Sequence, residues 1–341
     1  MTNKKPVIAL TLGDAAGIGA ELIARLLAKE DVTSHANIVL IGDEWLFKRG
    51  QIEANTCIEC EPVADLKDVR NRPNQNKPAF LAVNTIQENE VNIGKAEAAG
   101  GRSSLQILNW CMDGALKKEI DAICFAPLNK FALKQGGMQH EDELHHFAEY
   151  LNVSGYFCEF NTLDNLWTSR VSSHVPLKDA HTLLSKERIC AAAKLIYQAM
   201  LANNMQNPKI AIAGFNPHNG DGGTCGREEI EIITPAVKEL QAQKWSTAEP
   251  FHGPFPADTI FLKAQKGEYQ AIVTMYHDQG QIAIKLLGFE RGVTVQGGLP
   301  IPITTPAHGT AYDIAGSGCA NVNATYQAFL IAARMGTKFM P

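Results

Sequence analysis

An α/β protein with a largely parallel sheet is what this sequence predicts, and three features carry the prediction. Apolar runs of strand length recur along the chain, at 6–12 (PVIALTL), 37–42 (NIVLIG), 122–127 (AICFAP), 209–215 (KIAIAGF) and 271–277 (AIVTMYH). Several lack the apolar/polar alternation of a half-exposed strand, which suits strands covered on both faces. Between them lie segments with helical spacing, and alternation of the two types is the signature of parallel α/β architecture.

Taken in order, the run at 6–12 is the first strand, and GDAAGIGAE (13–21) turns out of it into a helix. Glycines at such a turn let backbone amides approach an anion at a helix N-terminus, although the spacing is not GxGxxG and a tight turn without ligand explains it equally well. The runs at 37–42 and 122–127 follow as strands. GYFCEFNTLDNLWTSRVSSHV (155–175) reads as two strands about a turn near Asn161 to Asn165. KERICAAAKLIYQAMLANN (186–204) has helical periodicity, and QGQIAIKLLG (279–288) is a helix after the strand at 271–277. The tract 297–321, GGLPIPITTPAHGTAYDIAGSGCAN, is the longest loop-like stretch, and long connections inside a compact domain are more often functional than idle.

The 341 residues suffice for one large core or two modest ones, and two domains are expected. Composition is that of a soluble globular protein, 45% hydrophobic and 20% charged. A formal charge of −5 without a Lys/Arg block disfavours nucleic acid and anionic membranes as partners. No apolar stretch approaches the roughly 20 residues a spanning helix needs, and the N-terminus lacks a cleavage pattern, so a cytoplasmic protein is expected. Eight scattered cysteines are expected to be reduced thiols. Cys57 and Cys60 form a lone CxxC, and half-buried strand cysteines explain it better than a metal or redox pair.

Three histidines share one local setting: His174, His218 and His277 each close an apolar strand and open onto Pro or Gly. In parallel α/β sheets the carboxyl ends of strands line the ligand crevice, so imidazoles delivered there can converge. Three neutral imidazoles with an open fourth position make an established catalytic metal site. A lone strand-end histidine is usually a hydrogen-bonded structural residue; the joint pattern is what raises the metal reading. Asp278 follows His277 directly, and Lys285 sits on the next predicted helix, where a solvated lysine is the ordinary alternative. His308, Gly309, Thr310 and Asp313 in the long tract offer backbone and side-chain groups to a nucleotide.

GDAAGIG, APLNK (126–130), SSHVPLKDA, NPHNGDGGTCGREE (216–229), GPFPADTIF (253–261), MYHDQGQIAIKLLGF and HGTAYDIAGSG occur in this order over nearly the whole chain. Together they resemble the 4-hydroxythreonine-4-phosphate dehydrogenase family of vitamin B6 biosynthesis and its relatives acting on phosphorylated four-carbon sugar acids. The resemblance implies an isocitrate/isopropylmalate-dehydrogenase-like two-domain fold with mostly parallel sheets and an interdomain cleft. It places one domain at 1–125 plus 297–341 and the other at 126–296. It also implies a homodimer with the site shared between subunits, NAD as electron acceptor, and one divalent cation (zinc, magnesium, manganese or cobalt) on His174, His218 and His277, the three that the strand-end argument selects. The NAD seat falls on Gly297, Gly298, His308, Gly309, Thr310 and Asp313.

Departures from the family pattern are concentrated at the substrate. Where the family has Gly-His-Thr-Glu, this chain reads Asp142-Glu143-Leu144-His145, and family Asn and Arg positions fall on Thr294 and Ile303; the lysine remains as Lys285. A phosphate needs cationic and N–H donors, so these exchanges remove donors and add a carboxylate. The resulting expectation is a metal- and NAD-dependent dehydrogenase that oxidises a secondary alcohol of a small hydroxy acid, with or without decarboxylation, whose substrate is not phosphorylated at the usual position. Glu143, Leu144, His145, Lys285, Thr294 and Ile303 would contact that substrate, with Lys285 or Asp278 handling the proton. His140, His145 and His146 offer a replacement polar wall, and Arg102, Arg291 or Lys130 an alternative phosphate grip. The rivals are a true 4-phospho-hydroxy-acid dehydrogenase, a metal-dependent hydrolase, and a non-catalytic binding protein on the same scaffold.

Overall fold

The computed structural model describes residues 4–341, and the chain forms two compact units, Met1–Val153 with Leu299–Pro341, and Ser154–Gly298. The first unit starts with strands β1 (Val7–Thr11), β2 (Asn37–Asp43), β3 (Glu61–Pro62), β4 (Ala79–Val83) and β5 (Ala122–Phe125). The second holds β6 (Cys158–Leu163), β7 (Leu166–Arg170), β8 (Ile210–Ala213), β9 (Phe251–Phe255), β10 (Ala271–Thr274) and β11 (Val293–Gly297). The chain then re-enters the first unit as β12 (Ile303–Pro306).

Within the first unit the strand order is β3-β4-β2-β1-β5-β12 and every pairing is parallel. Every residue of β1, β2 and β5 is buried, which is why these strands read as unbroken apolar runs. The helices of this unit are α1 (Gly19–Leu27), α2 (Val32–His35), α3 (Glu44–Glu53), α4 (Ala98–Leu116), α5 (Lys130–Gln135) and α6 (Glu143–Tyr150), closed by a C-terminal helix at Asn323–Gly336. The expected boundary at 125/126 moves to 153/154 for a packing reason. Phe147 on α6 and Leu151 after it are buried with Ile107, Leu108 and Cys111 of α4 in the core of the first unit.

The second unit has the order β11-β6-β7-β10-β8-β9. The β6–β7 hairpin and the β11–β6 pair are antiparallel, whereas β7, β10, β8 and β9 run parallel. Its helices are α7 (Lys186–Ala202), α8 (Thr234–Gln241), α9 (Ile260–Gln265) and α10 (His277–Gly288). Ser185 caps α7 by accepting the Arg188 N–H, which starts the helix where the periodicity starts. Two expectations change. His277 is the first residue of α10 and not the last of a strand, because β10 ends at Thr274 and the helix begins three residues later. The tract 297–321 is not loop throughout, since β12 lies inside it.

Candidate active site

The second unit brings two of the three histidines together by main-chain pairing. β7 and β10 are parallel neighbours in register Thr274↔Arg170, and the pairing continues past both ends. Val171 N–H donates to the Thr274 carbonyl at 2.9 Å, and Ser172 donates to the Met275 carbonyl from both N–H (3.1 Å) and Oγ (2.9 Å). Each chain then needs two more residues to reach its histidine, and the His174 and His277 rings stand 5.9 Å apart, centroid to centroid. Nδ1 of His277 lies 2.7 Å from Asp278 Oδ1. A carboxylate on one ring nitrogen fixes the ring and leaves Nε2 to face a cation.

Behind the loop that supplies His174 stands a buried polar network. The Arg170 guanidinium donates to Asn161 Oδ1 and Glu159 Oε2, both at 2.7 Å, and to Ser173 Oγ at 3.0 Å. The last of these bonds holds the residue immediately before His174.

His218 arrives on an unusual backbone. From His218 to Gly222, five consecutive residues have positive φ, between 43° and 79°. The left-handed region costs a non-glycine residue free energy and persists only where the surroundings enforce it. Buried Glu229 supplies that enforcement: Oε1 accepts the N–H groups of Phe215 and Asn216, each at 2.7 Å, and Oε2 accepts Asn216 Nδ2 at 2.9 Å. His218 lines a pocket of about 550 Å³ with Phe215, Tyr276, Asp278, Gln279 and Ile282 among its walls.

The donor chemistry fits a divalent cation: imidazoles at neighbouring strand ends, one ring with a carboxylate behind it. Among the described residues of this unit, no three His, Cys, Asp or Glu ligand atoms lie within 4.8 Å of one another, so a single chain does not close a set on its three histidines. Asp278 lines the pocket, whereas Lys285 is exposed on α10 and is not among the pocket residues.

The first unit places the other expected residues less uniformly. Asp142 caps α6 by accepting His145 N–H at 2.9 Å, and the His145 ring sits between Asp142 Oδ1 (2.7 Å) and Glu141 Oε1 (3.2 Å). Glu143 and Leu144 are buried. His146 bonds Asn109 at 2.9 Å and His140 pairs with Glu149, so both are engaged on the α4–α6 surface. Burial, with help from His140, holds the His146 pKa below its ordinary value. Ile303 is fully buried in the core with Val7, Ile123 and Ile301, which removes it from any open pocket. In the second unit Thr294 accepts from Asn161 Nδ2 at 3.2 Å, and Arg291 pairs with Asp164 and Glu290.

Of the residues expected to seat a nucleotide, Gly297 and Gly298 fall in the second unit and the others in the first. A β-carbon at Gly297 would stand 2.4 Å from the Phe160 ring, so close packing accounts for that glycine. Gly309 faces open space, with His308 beside it. Thr310 is buried and accepts Ile18 N–H through its carbonyl at 3.1 Å, while Tyr312 donates to Asp14 Oδ2 at 2.8 Å. The GDAAGIG turn and the HGTAYD turn therefore pack on each other. Burial raises the Asp14 pKa against the lowering effect of the Ala16 N–H and Tyr312 bonds. The cysteines are free thiols, and burial pushes Cys60 up to about 11, away from thiolate chemistry. No helix among the described residues is long and apolar enough to cross a membrane.

Glu229, Arg170 and Gln279 escape a reading of the sequence, where each looks like a surface residue. A second acidic residue after Glu228 was the sole hint for Glu229, and the HDQG string the sole hint for Gln279.

Comparison with known proteins gives the family. The family model described as pyridoxal phosphate biosynthetic protein PdxA matches residues 34–332. A Pseudomonas aeruginosa protein provisionally named 4-hydroxythreonine-4-phosphate dehydrogenase 2 is 52% identical over 335 residues, 97% of each chain. A Clostridium botulinum protein provisionally named D-threonate 4-phosphate dehydrogenase is 31% identical over 99% of each. The crystal structure of 4-hydroxythreonine-4-phosphate dehydrogenase from Klebsiella pneumoniae superposes with a TM-score of 0.82 at 29% identity, covering 98% of this chain and 99% of that one. With the model matching most of its length and relatives of this identity spanning it end to end, the chain belongs to the PdxA family and is an oxidoreductase of the dehydrogenase type.

Proposed function

We infer that the protein is a divalent-metal- and NAD-dependent dehydrogenase that oxidises a secondary alcohol of a small hydroxy acid, and that it works as a homodimer whose chains share each site. The observation that carries this reading is the His174–His277 pair at 5.9 Å with Asp278 behind one ring. His174, His218 and His277 would hold the cation as neutral imidazoles. A cation held there would supply Lewis-acid chemistry that lowers the pKa of the alcohol, and NAD would supply the acceptor for the hydride released as the alcohol becomes a ketone.

The protein's own groups divide the remaining work. Asp278, bonded to His277, orients that ring and lines the pocket, and Asp278 or Lys285 would take the alcohol proton. His308, Gly309, Thr310 and Asp313 are the proposed seat of NAD, and the open face at Gly309 fits the approach of a ligand to backbone there, whereas Gly297 and Gly298 are close-packed against their own unit. Where a carboxylate lies β to the new ketone, loss of carbon dioxide follows from the same polarisation.

For the substrate we favour an acid not phosphorylated at the usual position. Glu143 and Leu144, both buried, fall by the sequence resemblance on positions where the family pattern has His and Thr, and a carboxylate there would repel a phosphate. A second reading, a 4-phosphorylated hydroxy acid, is favoured by the names of relatives up to 52% identical. NADH formation, followed by its near-ultraviolet absorbance over matched phosphorylated and unphosphorylated four-carbon acids with each metal and with chelator, decides. Turnover confined to phosphorylated acids removes the altered-pocket reading; no NAD reduction with any acid removes the dehydrogenase reading.

A further inference from the structure

Met275 is the point at which the three histidine-bearing segments meet. Its carbonyl accepts both bonds from Ser172, two residues before His174. Its N–H donates to Gln279 Oε1 at 2.8 Å, and Gln279 Nε2 donates to the Gly214 carbonyl at 3.0 Å. Gly214 is the first residue beyond β8 and begins the segment that carries His218; Met275 is the first beyond β10 and lies two before His277. One primary amide in the first turn of α10 therefore bridges the ends of two neighbouring strands just beyond their last paired residues, Ile212 and Val273.

The bridge needs an acceptor and a donor on one planar group at this reach. Glutamate offers acceptors alone, asparagine is a methylene short, and methionine has the length without either bond. The segment beyond Gly214 is also the one with the left-handed turn, so it has the most to lose from an unanchored start.

We propose that Gln279 is a positioning residue: it fixes where the His218 segment leaves the sheet relative to the His174–His277 pair, before any cation binds. This rests on the metal reading above. It holds whether His218 serves its own chain's pair or the partner's, because in either case the angle of presentation is set at Gly214.

The test is titration of metal-free protein with Co2+ alone, read by dissociation constant and by the visible absorption of the bound ion. Q279M should weaken Co2+ about ten- to hundredfold, the usual cost of removing a group that orients a ligand, and should shift the visible band. Q279E, which keeps the Met275 bond and loses the Gly214 bond, should fall between Q279M and the parent and serves alone should Q279M not fold. A lowered thermal midpoint with unchanged Co2+ affinity and spectrum would overturn the proposal, since a purely structural amide predicts that result. H218A is the control for the underlying reading: if it binds Co2+ like the parent, the metal site itself is misassigned and Gln279 has nothing to position.

Discussion

Replacing Glu229 by glutamine tests how the strained turn at His218 is held. The two main-chain N–H groups of Phe215 and Asn216 converge on one carboxylate oxygen, and Asn216 Nδ2 reaches the other. In Glu229→Gln the remaining oxygen can still take the main-chain pair, but the new amide NH2 faces another NH2. Hydrogen bonds to charged acceptors contribute about 1.5–3 kcal/mol each and neutral ones about 1 kcal/mol. Losing one bond and weakening two gives a destabilisation of about 2.5–7 kcal/mol. A left-handed residue such as His218 stores roughly 1–2 kcal/mol, so a loss of that size is enough to release the turn. Urea unfolding measures the total, and hydrogen exchange at the Phe215 and Asn216 amides localises it: both should exchange faster. A variant within about 0.5 kcal/mol of the parent, the range of an ordinary surface change, would refute the reasoning.

Other expectations follow from the same contacts. H174A and H277A should each abolish Co2+ retention by equilibrium dialysis, while chelator should stop NAD reduction by the parent and added metal restore it. If the site is shared, mixing H218A with H277A under subunit exchange should recover part of the activity that neither has alone, and an absence of recovery argues for sites within one chain. Ser172→Ala removes the Oγ bond to the Met275 carbonyl but keeps the N–H bond, so it should cost about 1 kcal/mol in urea and weaken metal binding less than Q279M does. Burial lowers the His146 pKa from the ordinary 6.5, so the folded state binds the proton less readily than the unfolded one. Stability tied to this ring is therefore full above that value and is lost as pH falls below it. H146Q, which can keep a bond to Asn109, should flatten the loss in urea midpoints taken across that range.

The elements that announced themselves did so for a physical reason. β1, β2, β5, β8 and β10 are buried along their whole length, and burial on both faces leaves an unbroken apolar run. α7 combines periodicity with a serine cap. Short strands such as β3, or β9 and β12 with their prolines, are made by their neighbours' pairing and leave little trace in composition. α6 looked like part of the second domain because chain order says nothing about where Phe147 will be buried. Ile303 shows the same limit at a site: matched by position to a substrate contact, it belongs to the core.

The glycines of GDAAGIG mark where that limit lies. A sequence shows that glycine stands at a position; it does not show whether anything occupies the space a side chain would need. At 13–19 the occupant is the protein. β-Carbons at Gly13, Gly17 and Gly19 would come within 2.6 Å of the Pro127 carbonyl, 2.9 Å of Thr310 and 2.1 Å of the Leu12 carbonyl. Gly309 has nothing within 4 Å. The same residue type thus serves to let two turns of the chain meet in one place and leaves an open face in the other. That difference makes substitution informative: G17A should disturb packing with Thr310 and lower stability whether or not nucleotide is present. G309A should leave the urea midpoint of the free protein unchanged and weaken NAD alone, measured by titration calorimetry. Equal NAD affinity in G309A and the parent would place the nucleotide elsewhere.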